Sequence, residues 1–195
     1  MQIAPGVDAA VWQRLKLDDP NSADWVTAID ILAARIHERY IEPVDFLIAS
    51  EANKPASERR FGFTVLAIDC LLVETLGAFI EGFEDTNGKS KKTFCAFLRT
   101  RKQFAAEFTT DDLTKNFYEQ FRCGILHQAE IGGESKVWSV GPLLRLESSA
   151  ITINRNKFHE CLKAEFQTYL SELRDPKNSV LRENFRKKMN FVSRA

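Results

Sequence analysis

An arginine and a histidine five positions apart, Arg122 and His127, are the pair of side chains in this 195-residue chain whose types and spacing point most directly to chemistry. An imidazole moves protons near neutral pH. A guanidinium holds a phosphodiester through two parallel hydrogen bonds and stabilises the charge that builds on it. Together they suffice for metal-free RNA cleavage. The 2′-hydroxyl attacks the neighbouring phosphorus, histidine moves the proton and arginine holds the oxyanion. The pair lies within Phe121-Arg122-Cys123-Gly124-Ile125-Leu126-His127. The chain carries no P-loop, dinucleotide glycine pattern, nucleophile elbow or zincin motif. Its three histidines, His37, His127 and His159, form no cluster with one another or with Cys70, Cys95, Cys123 and Cys161. Neither a metal nor a cofactor is therefore expected. The cysteines lack a CxxC pair and read as reduced thiols of a cytoplasmic protein.

The element that must position the pair is a helix from Asp111 to about Glu130, capped by Thr110 and ended by Gly132-Gly133. Its core stripe is Leu113, Phe117, Phe121 and Ile125. On an ideal helix at about 100° per residue, Arg122 and His127 stand about 140° apart and straddle that stripe. One chain then aims them poorly at a single phosphate, and a two-fold dimer bringing two such helices together would make a composite cleft. The plainer reading pairs Arg122 with Glu119 or Glu130 and gives His127 a backbone carbonyl. Tyr118, one turn before Arg122, and Glu130, nearly one turn after His127, are placed to support them. Asp69 and Glu74 sit in the most apolar helix, where an unpaired carboxylate is costly. Either one of them orients Arg122 or His127, or both serve the bundle edge or another arginine. His37 and His159 read as structural or exposed. Trp138 can stack a base or pack a small sheet.

The remaining elements make a mainly α single domain over residues 1–195, a helical bundle with a small β-hairpin insertion near 136–154. Residues 1–21 read as irregular. Ser22 caps a helix to about Ile41, Pro43 opens a short turn with Phe46 and Leu47 packed inward, and Ser57 caps the longest helix, to about Phe83. Short helices follow near 92–99 and 101–108. Val137–Val140, Leu144–Leu146 and Ile151–Ile153 alternate like strands, with turns at Gly141-Pro142 and Ser148-Ser149. Helix resumes over 155–173, completing a bundle core of about 57–173, and a basic helix over 179–191 closes the chain. The run from Phe61 to Phe83 is interrupted by Asp69, Glu74 and Glu81, which makes it a core helix and not a membrane span. Net charge is zero, but residues 1–50 hold eight acidic against four basic side chains, while residues 176–195 hold six basic against one acidic. That asymmetry permits contact with phosphate, head-to-tail contact between chains, or simple solvation.

Arg122-Cys123-Gly124-Ile125-Leu126-His127, late in a helix of a helical bundle, resembles the Arg-x(4–6)-His motif of the HEPN superfamily (higher eukaryotes and prokaryotes nucleotide-binding). The match covers the 14 residues Phe117–Glu130, and the bundle order over 57–173 agrees with it loosely. The resemblance implies a bundle that dimerises through its motif helices and a metal-independent endoribonuclease of a toxin–antitoxin, phage-defence or RNA-processing system. It implies Arg122 and His127 as the catalytic pair, RNA or a nucleotide as ligand, and an antitoxin or defence protein as a further partner. At one position the chain departs from the family: a polar residue such as Asn often follows the arginine in active members, and here it is Cys123, a weak donor. Some members are inactive binding modules, so a dimeric RNA- or nucleotide-binding module is the alternative. A purely structural protein is the third.

Overall fold

The computed structural model describes residues 1–148 and 150–194 and is mainly helical. Its centre is the longest apolar run, which forms α4 (Gly62–Glu81). Val65, Leu66, Cys70, Leu72, Val73, Leu76 and Phe79 are all buried. Apolar side chains nearly encircle this helix, so it needs neighbours on every side. They are α5 (Ser90–Thr100), α9 (Arg155–Arg174), α10 (Ser179–Val192) and the segment around Tyr118–Cys123. By length and composition α4 would pass for a membrane span, but 61% of that window is buried inside the bundle. The Ser57 cap is not formed. The amides of Arg60 and Phe61 donate instead to the buried carboxylate of Glu51, which also pairs with the buried Arg155. The helix ends at Gly82 (φ +69°), where a Cβ would meet the Asn184 side chain at 2.6 Å.

Several expectations require correction. Residues 1–21 are partly ordered into a hairpin, β1 (Gln2–Ala4) and β2 (Val7–Asp8), and a short helix, α1 (Ala9–Gln13). Ile3, Ala4 and Trp12 enter the core, so the core extends beyond 57–173. Ser22 does accept the Asp24 amide at the start of α2 (Asp24–Ile36). A wide turn at His37–Ile41 then leads into α3 (Glu42–Ser50), which buries Val44 while Phe46 is 73% exposed.

The three strand segments of the insertion form a mixed sheet, and the small hairpin within it is β4–β5. β5 (Ala150–Asn154) lies between β3 (Lys136–Trp138), parallel to it, and β4 (Leu144–Glu147), antiparallel. The link from β3 to β4 crosses the end of β5, held there by Asn154, whose side chain donates to Gly141 and whose amide donates to Leu143. Of the Ser148-Ser149 turn, Ser148 has φ +57° and Ser149 lies outside the described residues. Asn154 then caps α9 by accepting from the amides of Asn156 and Lys157.

The basic C-terminal helix is spent largely within the chain. Arg186 pairs with Asp18 and Glu183, and the buried Arg182 donates to Leu173 and Pro20 carbonyls while lying 3.9 Å over the Trp25 ring. The acidic head and basic tail meet intramolecularly.

Candidate functional site

The expected helix over Asp111–Glu130 forms, but not as one regular helix. A short helix, α6 (Lys102–Ala105), precedes it. Thr110 caps α7 (Asp111–Phe117) by accepting the Leu113 amide. The chain widens into a π turn over Tyr118–Cys123 and tightens again in α8 (Gly124–Gln128). It ends earlier than Gly132-Gly133 signals, at Ala129 in the left-handed conformation (φ +53°). Glu130 then folds back to donate to the Gly124 carbonyl. Only glycine fits at 124, because a Cβ there would lie 2.5 Å from the Glu130 carbonyl oxygen. Phe117 and Phe121 hold the turn against the core, their rings stacked 4.7 Å apart.

The two side chains meet in spite of the 140° separation that an ideal helix gives them. The π turn ends at Cys123 and His127 lies in the regular α8, so it is the reach of the long arginine side chain that closes the gap. Arg122 Nη1 lies 3.3 Å from His127 Nε2 within a single chain. A dimer is thus not needed to bring the two side chains together. Arg122 also does not pair with Glu119 or Glu130. Its Nη2 donates to Glu74 Oε2 at 2.9 Å, while Glu119 takes Lys91.

Glu74 is the hub. Thr86 Oγ1 donates to its Oε1 at 2.5 Å and Ser90 Oγ to its Oε2 at 2.6 Å, and Ser90 Oγ lies 2.9 Å from the Tyr118 hydroxyl. Burial works to raise the Glu74 carboxyl, but the hydroxyls of Ser90 and Thr86 and the charge of Arg122 outweigh it, holding it below the ordinary range. Burial likewise works against the Arg122 charge, and Glu74 more than offsets it, so the guanidinium is held more firmly protonated than usual. Burial keeps the Tyr118 phenol above its ordinary value, against the hydrogen bond from Ser90 and the nearby Arg122 charge. The Arg122 guanidinium lies 5.5 Å from the Tyr118 ring centre.

Arg122, His127, Tyr118 and Glu74 are therefore brought together. Arg122 and Glu74 are nearly covered, with side chains 15% and 11% exposed, and His127 is open to solvent. Cys123 is half-buried against the core beside the Tyr118 hydroxyl. Glu130 is exposed and, among the described residues, its side chain has no hydrogen-bond or ion-pair partner. Trp138 is 46% exposed, at the edge of the sheet. Thr86 and Ser90 were not legible as site residues, because nothing local in the Glu84–Lys91 loop marks its hydroxyls for a carboxylate on another helix. Among the described residues no group of His, Cys, Asp and Glu side chains could hold a metal.

Asp69 serves a different partner. Its carboxylate meets His159 Nδ1 at 2.7 Å in the interior, so His159 is a buried core histidine. Comparison with family models, with curated proteins and with solved structures gave no match.

Proposed function

We propose that this chain is a HEPN-like, metal-independent endoribonuclease in which Arg122 holds the scissile phosphodiester and His127 moves the proton. One observation carries the reading: the two side chains lie 3.3 Å apart at the surface, with the arginine fixed from behind by Glu74. An arginine that donates to His127 Nε2 requires a neutral imidazole with its proton on Nδ1, and that is the base form. When substrate binds, Arg122 Nη1 turns from Nε2 to the phosphate, and the freed Nε2 lone pair takes the proton of the 2′-hydroxyl as its oxygen bonds to phosphorus. Arg122 offsets the charge that builds on the non-bridging oxygens. The 5′-oxygen leaves and receives the proton back from the imidazolium. The products are a 2′,3′-cyclic phosphate and a 5′-hydroxyl.

Under this reading the chain works in the cytoplasm as a homodimer and answers to an antitoxin or defence protein, as the family resemblance implies. A fully active monomer would overturn the dimer. The Glu74–Arg122 ion pair favours a second reading, a binding module for RNA or a nucleotide, because it already occupies one edge of the guanidinium. Incubating the protein with RNA in EDTA separates the two. Cleavage that yields cyclic phosphate ends and is lost in His127→Ala supports the nuclease. Binding without turnover supports the module. Cleavage that survives His127→Ala removes the mechanism.

A further inference from the structure

Beside the site, α5 and α7 enclose a groove of about 530 Å³ lined by Lys91, Lys92, Cys95, Arg99, Thr114 and Lys115, among others. Its size falls in the range of small-ligand sites. The rim carries four cations (Lys91, Lys92, Arg99 and Lys115) against one carboxylate, Asp111, which Arg99 engages at 3.2 Å. Lys92 is exposed and forms no ion pair among the described residues, and the Lys115 contact to Asp112 is a loose 3.8 Å. The floor is small and apolar, with Ala96 and the half-buried Cys95 beside the buried Thr114. The groove begins where the site ends. Ser90 bonds Glu74 and Tyr118, and the next residues, Lys91 and Lys92, line the groove. Lys91 also reaches Glu119 in the π turn.

We infer that this groove binds a nucleotide of single-stranded RNA flanking the scissile phosphodiester, its phosphate on Lys92 and Lys115 and its base on the apolar floor. Mobile ammonium groups on a rim contact phosphates without reading sequence. A floor without aromatic rings gives the base contact but no stack, so the subsite is tolerant of sequence. The inference rests on the proposed nuclease for the meaning of "scissile" but not for the binding itself.

The test is fluorescence anisotropy with a short single-stranded 2′-O-methyl oligoribonucleotide, which lacks the attacking hydroxyl and is not cut. Lys92→Ala/Lys115→Ala is compared with Lys177→Ala/Lys187→Ala, which removes the same charge from the C-terminal region. The groove variant should bind roughly tenfold more weakly at low salt, with the slope of log K against log salt shallower by about 1.4. The control should match wild type. Equal binding by the two variants overturns the inference. Adenosine monophosphate competing as well as the oligomer assigns the groove to a free nucleotide and overturns the strand reading. Weakened binding in the groove variant alongside cleavage indifferent to His127→Ala leaves the groove standing without the nuclease. Cleavage dependent on His127, with the groove variant binding and cleaving as wild type, removes the groove alone.

Discussion

Two of the carboxylates on helix α4 stand five residues apart, and they live in opposite circumstances. Glu74 sits at the edge of the bundle with three donors on its two oxygens, from Thr86, Ser90 and Arg122. Asp69 is fully buried, with one oxygen on His159 Nδ1 and the other without a partner. The histidine beside Glu74's arginine is open to solvent, whereas His159 is 1% exposed and its Nε2 makes no hydrogen bond, lying 3.4 Å from Asp45 Oδ1. A carboxylate satisfied on both oxygens can act as a fixed anion that aims an arginine outward. One sealed in with a single histidine can only hold helices together. The same residue class on one helix thus divides into a site and a staple, and the hydroxyls of the 84–91 loop make the difference.

The largest expected effect lies on the Glu74 side. His127→Ala should lower metal-independent RNA cleavage by about 10²–10⁴-fold, while its unfolding free energy in urea stays within about 0.5 kcal/mol of wild type, since the side chain is exposed. The staple should respond in reverse. Asp69→Ala leaves a buried histidine without its partner and should cost about 3–5 kcal/mol in denaturant unfolding. If that variant loses activity without losing stability, the division fails.

A smaller effect separates the two acids by pH. Glu74 is held below its ordinary value of 4.5, chiefly by Ser90 and Thr86 against the opposing effect of burial. The unfolded chain then binds the extra proton, so the stability Glu74 contributes is present above pH 4.5 and is lost as pH falls below it. Asp69 is raised above 3.8 by burial, so its contribution is full below that pH and is lost as pH rises through its folded value. Glu74→Gln should flatten the acid limb of the stability curve, and Asp69→Asn should flatten the descent that begins above pH 3.8. Like slopes for both variants would erase the contrast. The smallest effect is at Glu130, whose exposed side chain reaches neither acid. Glu130→Ala should leave cleavage and the unfolding midpoint within error.

The helices were legible because their apolar stripes are long and their punctuation is strong, as at Thr110. The pairing of Arg122 with His127 as candidates was legible too, from side-chain chemistry. Their contact was not. It depends on how far the arginine reaches and on Glu74 holding it, which a wheel cannot represent, and no glycine or proline within the six residues Tyr118–Cys123 announces the widened turn. The partners of Glu74 and Asp69 were hidden for another reason. Ser90 is 16 positions from Glu74 and His159 is 90 from Asp69, and which acid meets which base is decided by packing of whole helices. The order of β3, β5 and β4 was lost in the same way, since alternation marks strands but not their neighbours.

The π turn has a further consequence, for how this helix tolerates length change. A π turn is an α-helix holding one residue more than its hydrogen-bond ladder calls for. Excising Glu119 or Gln120 would return the ladder to regular form and turn Arg122 and His127 together by about 100° relative to α7, carrying the guanidinium away from Glu74 while leaving both motif side chains in place in the sequence. The Arg122–Glu74 contact is written in a surplus of one residue, so a shortened chain would keep its motif residues and lose their anchor.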